Sequence, residues 1–159
     1  MHIVKAGDRL TVGDVVLEVL HPPAAGPDGN ENARSLVLLV RHAGHSILLN
    51  GDLEGTGLRR VLNELPPHRV EVLMAPHHGS HLTNTADLAQ WARPRIVISC
   101  QGRPGPSPEV RQRYQQVGAP VLDTHQHGAV TVHSHAGGLV VETFRTKERF
   151  AIRSENRED

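Results

Sequence analysis

Two short polar motifs contain the residue types in this sequence that could do chemistry. Asp52 lies in NGDLE, directly after the apolar segment SILL, and His77, His78 and Ser80 lie in PHHGS, directly after VEVLMA. A carboxylate and an imidazole that meet form the ligand mixture that suits zinc, manganese or iron, and a bridging carboxylate can help two ions activate a water. Each motif alone is weak evidence, because a Gly-Asp after a strand is more often a turn or a helix N-cap.

Both motifs are predicted to lie at the carboxyl ends of strands. The segments 46–49 and 70–75 are typical of strands, and between them the leucines and valine of 54–65 recur at helical spacing until a Pro-Pro pair ends the helix. This strand–helix–strand order predicts roughly parallel neighbouring strands. Active groups in open α/β sheets gather outside the carboxyl ends of the strands. We therefore expect Asp52 and His77 to meet in a common pocket.

The whole sequence predicts a mixed α/β sheet with helices on one face and antiparallel hairpins at both ends. Residues 24–34 are rich in Gly, Pro, Asp and Asn and are interpreted as a surface loop, and Asn84 is a candidate N-cap for the next helix. Predicted strands cover two segments within 5–23, joined at Gly13-Asp14, and the ranges 35–41, 46–49, 70–75, 95–99, 120–122, 129–132 and 139–144. Predicted helices cover 54–65, 85–92 and 108–117.

Composition excludes several classes of protein. The 17 basic and 17 acidic residues balance, so there is no global positive field for nucleic acid, and the single Cys100 excludes both an internal disulfide and a four-cysteine zinc site. No apolar run is long enough to span a membrane, so we expect a soluble chain, cytoplasmic or at the membrane as part of a larger protein. The length of 159 residues predicts one domain over 1–150, followed by a charged, disordered tail at 151–159.

The twelve histidines invite a metal hypothesis, which their positions have to decide. Two H-x-H pairs, His125 with His127 and His133 with His135, would each share one face of a strand. We interpret both pairs as solvent-facing, because two imidazoles leave a coordination shell half empty. The histidines in or beside predicted turns are expected at the surface: His2, His21, His42, His45, His68 and His81.

Five segments of the sequence share a joint pattern. They are AGDRLTVGDVVLEVLHPP, NENARSLVLLVRHAGHSILLNGDLE, VEVLMAPHHGSHLTNT, ARPRIVISCQGRP and GAPVLDTHQHGAVTV. From residue 5 to about 150, the chain resembles the C-terminal metallo-β-lactamase-like domain of the ComEC family of DNA-uptake proteins. The resemblance implies an αββα half-domain, a divalent metal (zinc or manganese) and metal-dependent phosphodiester hydrolysis. It also implies two partners, single-stranded DNA and the membrane channel part of a ComEC protein.

The resemblance also implies roles for individual residues. Asp52 matches the metal-bridging aspartate of the family, and the two histidines of HHGS face the same cleft. His77 is then the expected metal neighbour, while His78 acts with Asp52 as a catalytic residue. Ser80 would either bind a phosphate oxygen or cap the next helix, and capping is favoured because Ser and Thr in such loops usually satisfy backbone N–H groups.

Two departures from the family pattern bear on activity. The fold obtains its first ligands from an HxHxDH-type motif in its N-terminal half, and the sequence contains no such motif. We therefore expect a half-domain that is incomplete or inactive as an isolated chain. Ser107 stands where family members often have the histidine of a His-Pro, and serine is a poor ligand for these metals. Two alternatives stay open: a catalytically dead structural or partner-binding domain, and a metallo-hydrolase of the same fold that acts on another ester or RNA.

Overall fold

A seven-stranded mixed sheet forms the centre of the computed structural model, which describes residues 3–26, 28–102 and 104–153. The strands β1 to β4 pair antiparallel, and β4 to β7 pair parallel, in chain order across the sheet. The predicted mixed sheet is confirmed. Its strands are β1 (Arg9–Val12), β2 (Val15–His21), β3 (Val37–His42), β4 (His45–Leu49), β5 (Val72–Met74), β6 (Ile96–Ser99) and β7 (Val121–Asp123).

Three helices connect the parallel strands and cover one face of the sheet, as predicted. They are α1 (Gly55–Glu64), α2 (Ala86–Ala92) and α3 (Pro108–Gln115). Leu58 of α1, Leu88 of α2 and Tyr114 of α3 share one buried cluster with Leu73 of β5 and Val97 of β6. Burial of these apolar side chains against the sheet is the main force that fixes the helices in place. Among the described residues, no helix has the length and apolar content needed to cross a membrane.

A second, three-stranded antiparallel sheet covers the other face of the central sheet. A short helix, α4 (Thr124–His127), leads into β8 (Val130–His135), β9 (Gly138–Thr143) and β10 (Arg149–Ile152), which are arranged in the order β10-β9-β8. Ile98 and Leu122 of the central sheet pack in one buried cluster with Leu139, Val141 and Ile152 of the second sheet. The predicted C-terminal hairpin therefore forms, but it lies in a separate layer.

The strand β10 was not predicted from the sequence. We expect the domain to end at residue 150, whereas β10 continues to Ile152. The side chain of Ile152 is buried. The sequence of β10, RFAI, adjoins a charged segment, which masks the two apolar residues, Phe150 and Ile152, that pack against the core. The rest of the predicted tail, residues 154–159, lies outside the described part of the chain.

The segment 24–34 is more than the surface loop that its composition predicts. A 3₁₀ turn at Asn32–Arg34 buries Ala33 and packs against the first turn of α1. A Cβ atom at Gly57 would lie 2.1 Å from the carbonyl oxygen of Ala33, so only glycine allows the helix to approach this closely. The contact holds the start of α1, and therefore Glu54 next to it, against the loop.

Several histidines are placed differently from the prediction. His21, at the end of β2, and His45, at the start of β4, are both buried, whereas we expected them at the surface. His125 and His127 lie on the short helix α4 and not on a strand. His127 is buried, and its Nδ1 lies 3.0 Å from the carbonyl oxygen of Asp123. The exposed placement of His133 and His135 on β8 agrees with the prediction, and His2 lies outside the described residues.

Candidate functional site

The two polar motifs meet at one edge of the central sheet. β4 and β5 are parallel neighbours, with Leu49 opposite Met74, so their carboxyl ends lie side by side. Nδ2 of Asn50 donates to the carbonyl oxygen of Met74 at 2.9 Å, and the backbone N–H of His77 donates to the carbonyl oxygen of Gly51 at 3.0 Å. These cross-connections tie NGDLE directly to PHHGS.

Two carboxylate–imidazole pairs lie at this edge. Oδ1 of Asp52 lies 3.5 Å from Nε2 of His78, and Oε2 of Glu54 lies 2.9 Å from Nδ1 of His77. The side chains of Asp52 and His78 are 46% and 61% exposed, so this first pair faces solvent and is open to a ligand. We expected Asp52 to meet His77, whereas its ion-pair contact in the structure is with His78.

The tautomer of both histidines follows from their Nδ1 partners. Nδ1 of His78 lies 2.7 Å from the carbonyl oxygen of Cys100, and a carbonyl can only accept a hydrogen bond. Nδ1 therefore carries a ring proton, and Nε2 is the nitrogen that lies towards Asp52. The ionised carboxylate of Glu54 requires the same tautomer of His77. Both rings thus offer Nε2 as a base or as a metal ligand.

Sequence reasoning missed the part that Glu54 plays at this edge. Nδ2 of Asn30 and Nδ2 of Asn32 donate to its Oε1 at 2.7 and 3.2 Å, while its other oxygen accepts from His77. The hydrogen bond from Asn30, followed by those from Asn32 and His77, holds the pKa of Glu54 below its usual value. A carboxylate that stays ionised and orients an imidazole is a common outer partner of a metal-binding histidine. Glu54 lies in the quoted motif GDLE, but nothing in the motif indicates its partners.

The backbone of the histidine pair is strained. His77 (φ 47°, ψ 51°) and His78 (φ 54°, ψ 26°) both adopt the left-handed conformation within the turn Pro76–Gly79. Such a conformation costs a non-glycine residue ~1–3 kcal/mol and persists only where surrounding contacts enforce it. Strained residues of this kind cluster at functional sites, which supports a role for this turn.

Buried hydrogen bonds enforce the strained turn. The carbonyl oxygen of Pro76 accepts from Oγ1 of Thr83 at 3.1 Å and from Nδ2 of Asn84 at 3.0 Å. Ser99, at the end of β6, donates its hydroxyl to the carbonyl oxygen of His78 at 3.0 Å. The hydroxyl of Tyr114 in α3 donates to Oδ1 of Asn84 at 2.7 Å, and both residues are fully buried. The turn is therefore held by the segment before α2, by β6 and, through Asn84, by α3.

Asn84 and Ser80 have structural roles that differ from the predicted ones. Thr85, and not Asn84, caps α2, with its Oγ1 accepting from the backbone N–H of Leu88 at 3.2 Å. The prediction was wrong because the buried network takes up the side chain of Asn84. Ser80 does not cap α2 either, because its hydroxyl accepts at 3.4 Å from the N–H of Leu82, within the turn before that helix.

Ser107 caps α3. Its hydroxyl accepts from the backbone N–H of Val110 at 3.4 Å, and Pro108 occupies the first helical position. The preceding residue, Pro106, lies against the histidine turn. A Cβ atom built at Gly79 would lie 3.3 Å from Cγ of Pro106 and 2.5 Å from the hydroxyl oxygen of Ser99. Ser107 thus lies beside the site with its side chain committed to a helix.

The residues at the edge match a divalent metal in type, but they are not arranged as a full set of ligands. Within the described ranges, no group of three or more His, Cys, Asp or Glu side chains is arranged to hold a metal ion. A tightly bound zinc ion needs at least three protein ligands. Asp52 and the two histidines could therefore provide only part of a coordination shell.

Comparison with known proteins finds relatives named after the ComE operon, recombination and competence. It is 35% identical over 131 residues to ComE operon protein 3 of Bacillus subtilis, which covers 80% of this chain and 17% of that protein. It is 30% identical over 121 residues to Recombination protein 2 of Haemophilus influenzae, covering 74% of this chain and 15% of that protein. It is also 30% identical over 130 residues to the uncharacterized protein YcaI of Escherichia coli. The chain thus spans less than a fifth of the length of these relatives.

A solved structure shares the fold. A crystal structure from Parabacteroides distasonis, of a protein named as a candidate metal-dependent hydrolase, superposes with a TM-score of 0.52 at 16% identity, covering 76% of this chain and 56% of that one. At this identity the match is evidence for the fold alone. No family model matches the sequence.

Proposed function

We propose that this chain, which belongs to the ComEC family of competence proteins over the segment that it shares with them, contributes part of a metal-dependent phosphodiesterase site. The site would act on DNA during uptake. The names of its relatives refer to competence and recombination, and the fold is metallo-β-lactamase-like. The observation that carries the proposal is the pair of carboxylate–imidazole contacts at the carboxyl ends of β4 and β5. Strained histidines in a turn held by buried hydrogen bonds support it further.

The residues of this edge have separate tasks in the proposed site. Nε2 of His78 can accept a proton, and the carboxylate of Asp52 at 3.5 Å then stabilises the imidazolium. Glu54 positions His77, whose Nε2 is left free as a ligand. A bound divalent ion would lower the pKa of a water molecule and neutralise charge on a phosphate. Asp52 and His77 are the proposed ligands from this chain, and Asp52 and His78 the proposed catalytic pair.

The number of ligands sets the expected affinity. Because the described residues offer fewer ligands than a tight site requires, we expect the remaining ligands to come from polypeptide outside this segment. The isolated chain should then bind zinc or manganese weakly and show at most low activity. Single-stranded DNA and the channel part of a longer relative remain the proposed partners.

Asp52→Ala tests this site. We predict that the substitution abolishes the weak binding of Zn²⁺ and Mn²⁺ in calorimetry and lowers any metal-dependent nuclease activity by roughly a hundredfold or more, because the carboxylate that would hold the metal is lost. The matched control is Asp14→Ala, which removes an exposed carboxylate in the β1–β2 turn. Unchanged activity in Asp52→Ala would rule the site out, and sub-micromolar stoichiometric binding by the wild type would contradict the partial shell.

The second candidate function is a domain that keeps the fold without chemistry of its own. The absence of a three-ligand group within the described ranges favours it. Under this alternative, the unmutated chain binds no metal and the Asp52→Ala and Asp14→Ala variants behave alike. A third alternative is a metallo-hydrolase of the same fold that acts on another substrate. Measuring hydrolysis of a panel of esters and RNA in the presence of metal distinguishes it from the proposed phosphodiesterase.

A further inference from the structure

An open groove lies at the edge of the central sheet opposite the candidate site. It has a volume of about 770 Å³ and is bordered by the segments that lead into β5, β6 and β7 and by the last turns of α2 and α3. One strand of the second sheet, β10, closes its remaining side. The groove shares no lining residue with the histidine turn or with NGDLE.

The polar lining of the groove is basic. Arg69, Arg93 and Arg95 line it together with Gln90 and Gln116, and no aspartate or glutamate is among the described lining residues. Arg69 and Arg93 are exposed, and neither forms an ion pair with another residue of the described ranges. The groove therefore concentrates positive charge on a chain whose formal net charge is zero.

Helix ends do not cancel this charge. The carboxyl-terminal ends of α2 and α3 border the groove, and each contributes about half a negative charge at most. The guanidinium groups of Arg69 and Arg93 alone outweigh the two helix ends by about one charge. An external anion could neutralise this remaining positive charge.

The floor of the groove is apolar. Ile96, Val117 and Ile152 line it, together with Phe150 of β10, which packs against the core between the two sheets and is only partly buried. Guanidinium groups bind phosphates in bidentate geometry, and an aromatic ring in a basic groove can stack against a base. A concave site with an apolar floor fits a nucleic-acid strand better than a flat anionic membrane surface.

We propose that this groove binds the backbone of single-stranded nucleic acid, with Arg69 and Arg93 on phosphates and Phe150 against a base. The proposal is independent of the metal site, since it needs no metal and no residue of the opposite sheet edge. Because the chain has no overall positive charge, binding depends on this local cluster.

The test measures the anisotropy of a fluorescein-labelled single-stranded oligonucleotide in EDTA across a salt series. For Arg69→Gln with Arg93→Gln we expect an affinity at least roughly tenfold lower, and a salt dependence flatter by about 0.7 per lost phosphate contact. Phe150→Leu keeps apolar packing and should weaken binding by roughly fivefold or more through lost stacking. The matched control, Lys5→Gln with Arg9→Gln, removes the same charge from the first hairpin and should bind as the wild type.

Several results would overturn the proposal. They are no binding of the oligonucleotide by the wild type, an equal loss in the control variant, or a tighter interaction with duplex DNA. Binding to vesicles of anionic phospholipid that depends on Arg69 and Arg93, without a matching effect on the oligonucleotide, would assign the groove to a membrane surface instead. Arg69→Gln with Arg93→Gln should leave the weak binding of Zn²⁺ in calorimetry unchanged, so failure of this proposal and failure of the metal site are distinguishable. Circular dichroism confirms that each variant is folded.

Discussion

His21 shows how the burial of one side chain makes stability depend on pH. Its Nε2 donates to the carbonyl oxygen of Ala33 at 2.9 Å, and the ring is almost wholly buried. Burial holds the pKa of His21 below its ordinary value of 6.5, although the hydrogen bond to Ala33 acts in the opposite direction. Below pH 6.5 the unfolded chain binds a proton that the folded chain excludes. The free energy of unfolding therefore falls as the pH drops from 6.5 towards the folded pKa.

Replacing His21 by glutamine should flatten this pH dependence. The amide keeps an N–H donor for Ala33 but does not titrate. We predict that His21→Gln loses less stability than the wild type between about pH 7.5 and pH 5.5, as measured by urea unfolding. His81→Gln, at an exposed position, is the control and should keep the wild-type slope. A full slope in His21→Gln would assign the effect to another group.

At the scale of single residues, the residues that meet at the sheet edge could be predicted but their pairing could not. The motifs indicated Asp52, His77 and His78 because residue type and position after a strand are local properties. The observed pairs follow from two consecutive left-handed residues and from the approach of Asn30 to Glu54. Neither leaves a pattern in the sequence, since tertiary contacts impose both.

At the scale of elements, α3 holds the histidine turn through one buried hydroxyl. Tyr114 is a core residue of this helix, and burial of its hydroxyl raises its pKa. Its hydrogen bond to Asn84 could not be predicted, because it depends on where α3 meets the segment before α2. Helical periodicity identifies the inward face of a helix but not the polar partner that this face meets.

Tyr114→Phe should therefore weaken the fold. The change leaves Oδ1 of Asn84 buried without a donor, which costs ~1–3 kcal/mol. We predict a decrease of this size in the free energy of unfolding, together with shifted NMR signals of His77 and His78. Thr11→Val, which removes an exposed hydroxyl from β1, is the control and should change stability by less than about 0.5 kcal/mol. If Tyr114→Phe were as stable as the wild type, the hydroxyl would not support the turn.

At the scale of the molecule, the second sheet gives the parallel strands their other apolar cover. Alternate residues of β6 belong to different clusters, with Val97 towards the helices and Ile96 and Ile98 towards the second sheet. Such continuous burial explains why the parallel strands have no polar alternation. The mixed sheet and its helices could be predicted from periodicity, but the second layer could not, because β10 contributes a single fully buried side chain.

Ile152→Ala tests whether this layer contributes to stability. Truncation of a buried isoleucine typically costs ~2–5 kcal/mol through lost transfer energy and the cavity left behind. We predict a loss in this range, in a single cooperative transition followed by urea unfolding. Val12→Ala, at an exposed position of β1, should stay within about 0.5 kcal/mol of the wild type. A negligible effect of Ile152→Ala would mean that β10 does not contribute to the core.

The alignment of β4 with β5 depends on three parallel residue pairs and on the hydrogen bond from Asn50 to Met74. All of these contacts join residues of the two strand segments directly and do not involve the chain between them. The polypeptide between these strands includes Pro66 and Pro67, which are exposed after α1 ends. We therefore expect the strands to stay aligned when the chain is opened at that point. A circular permutant opened there, or two complementing fragments, would bring the acidic and imidazole motifs together without a continuous chain between them.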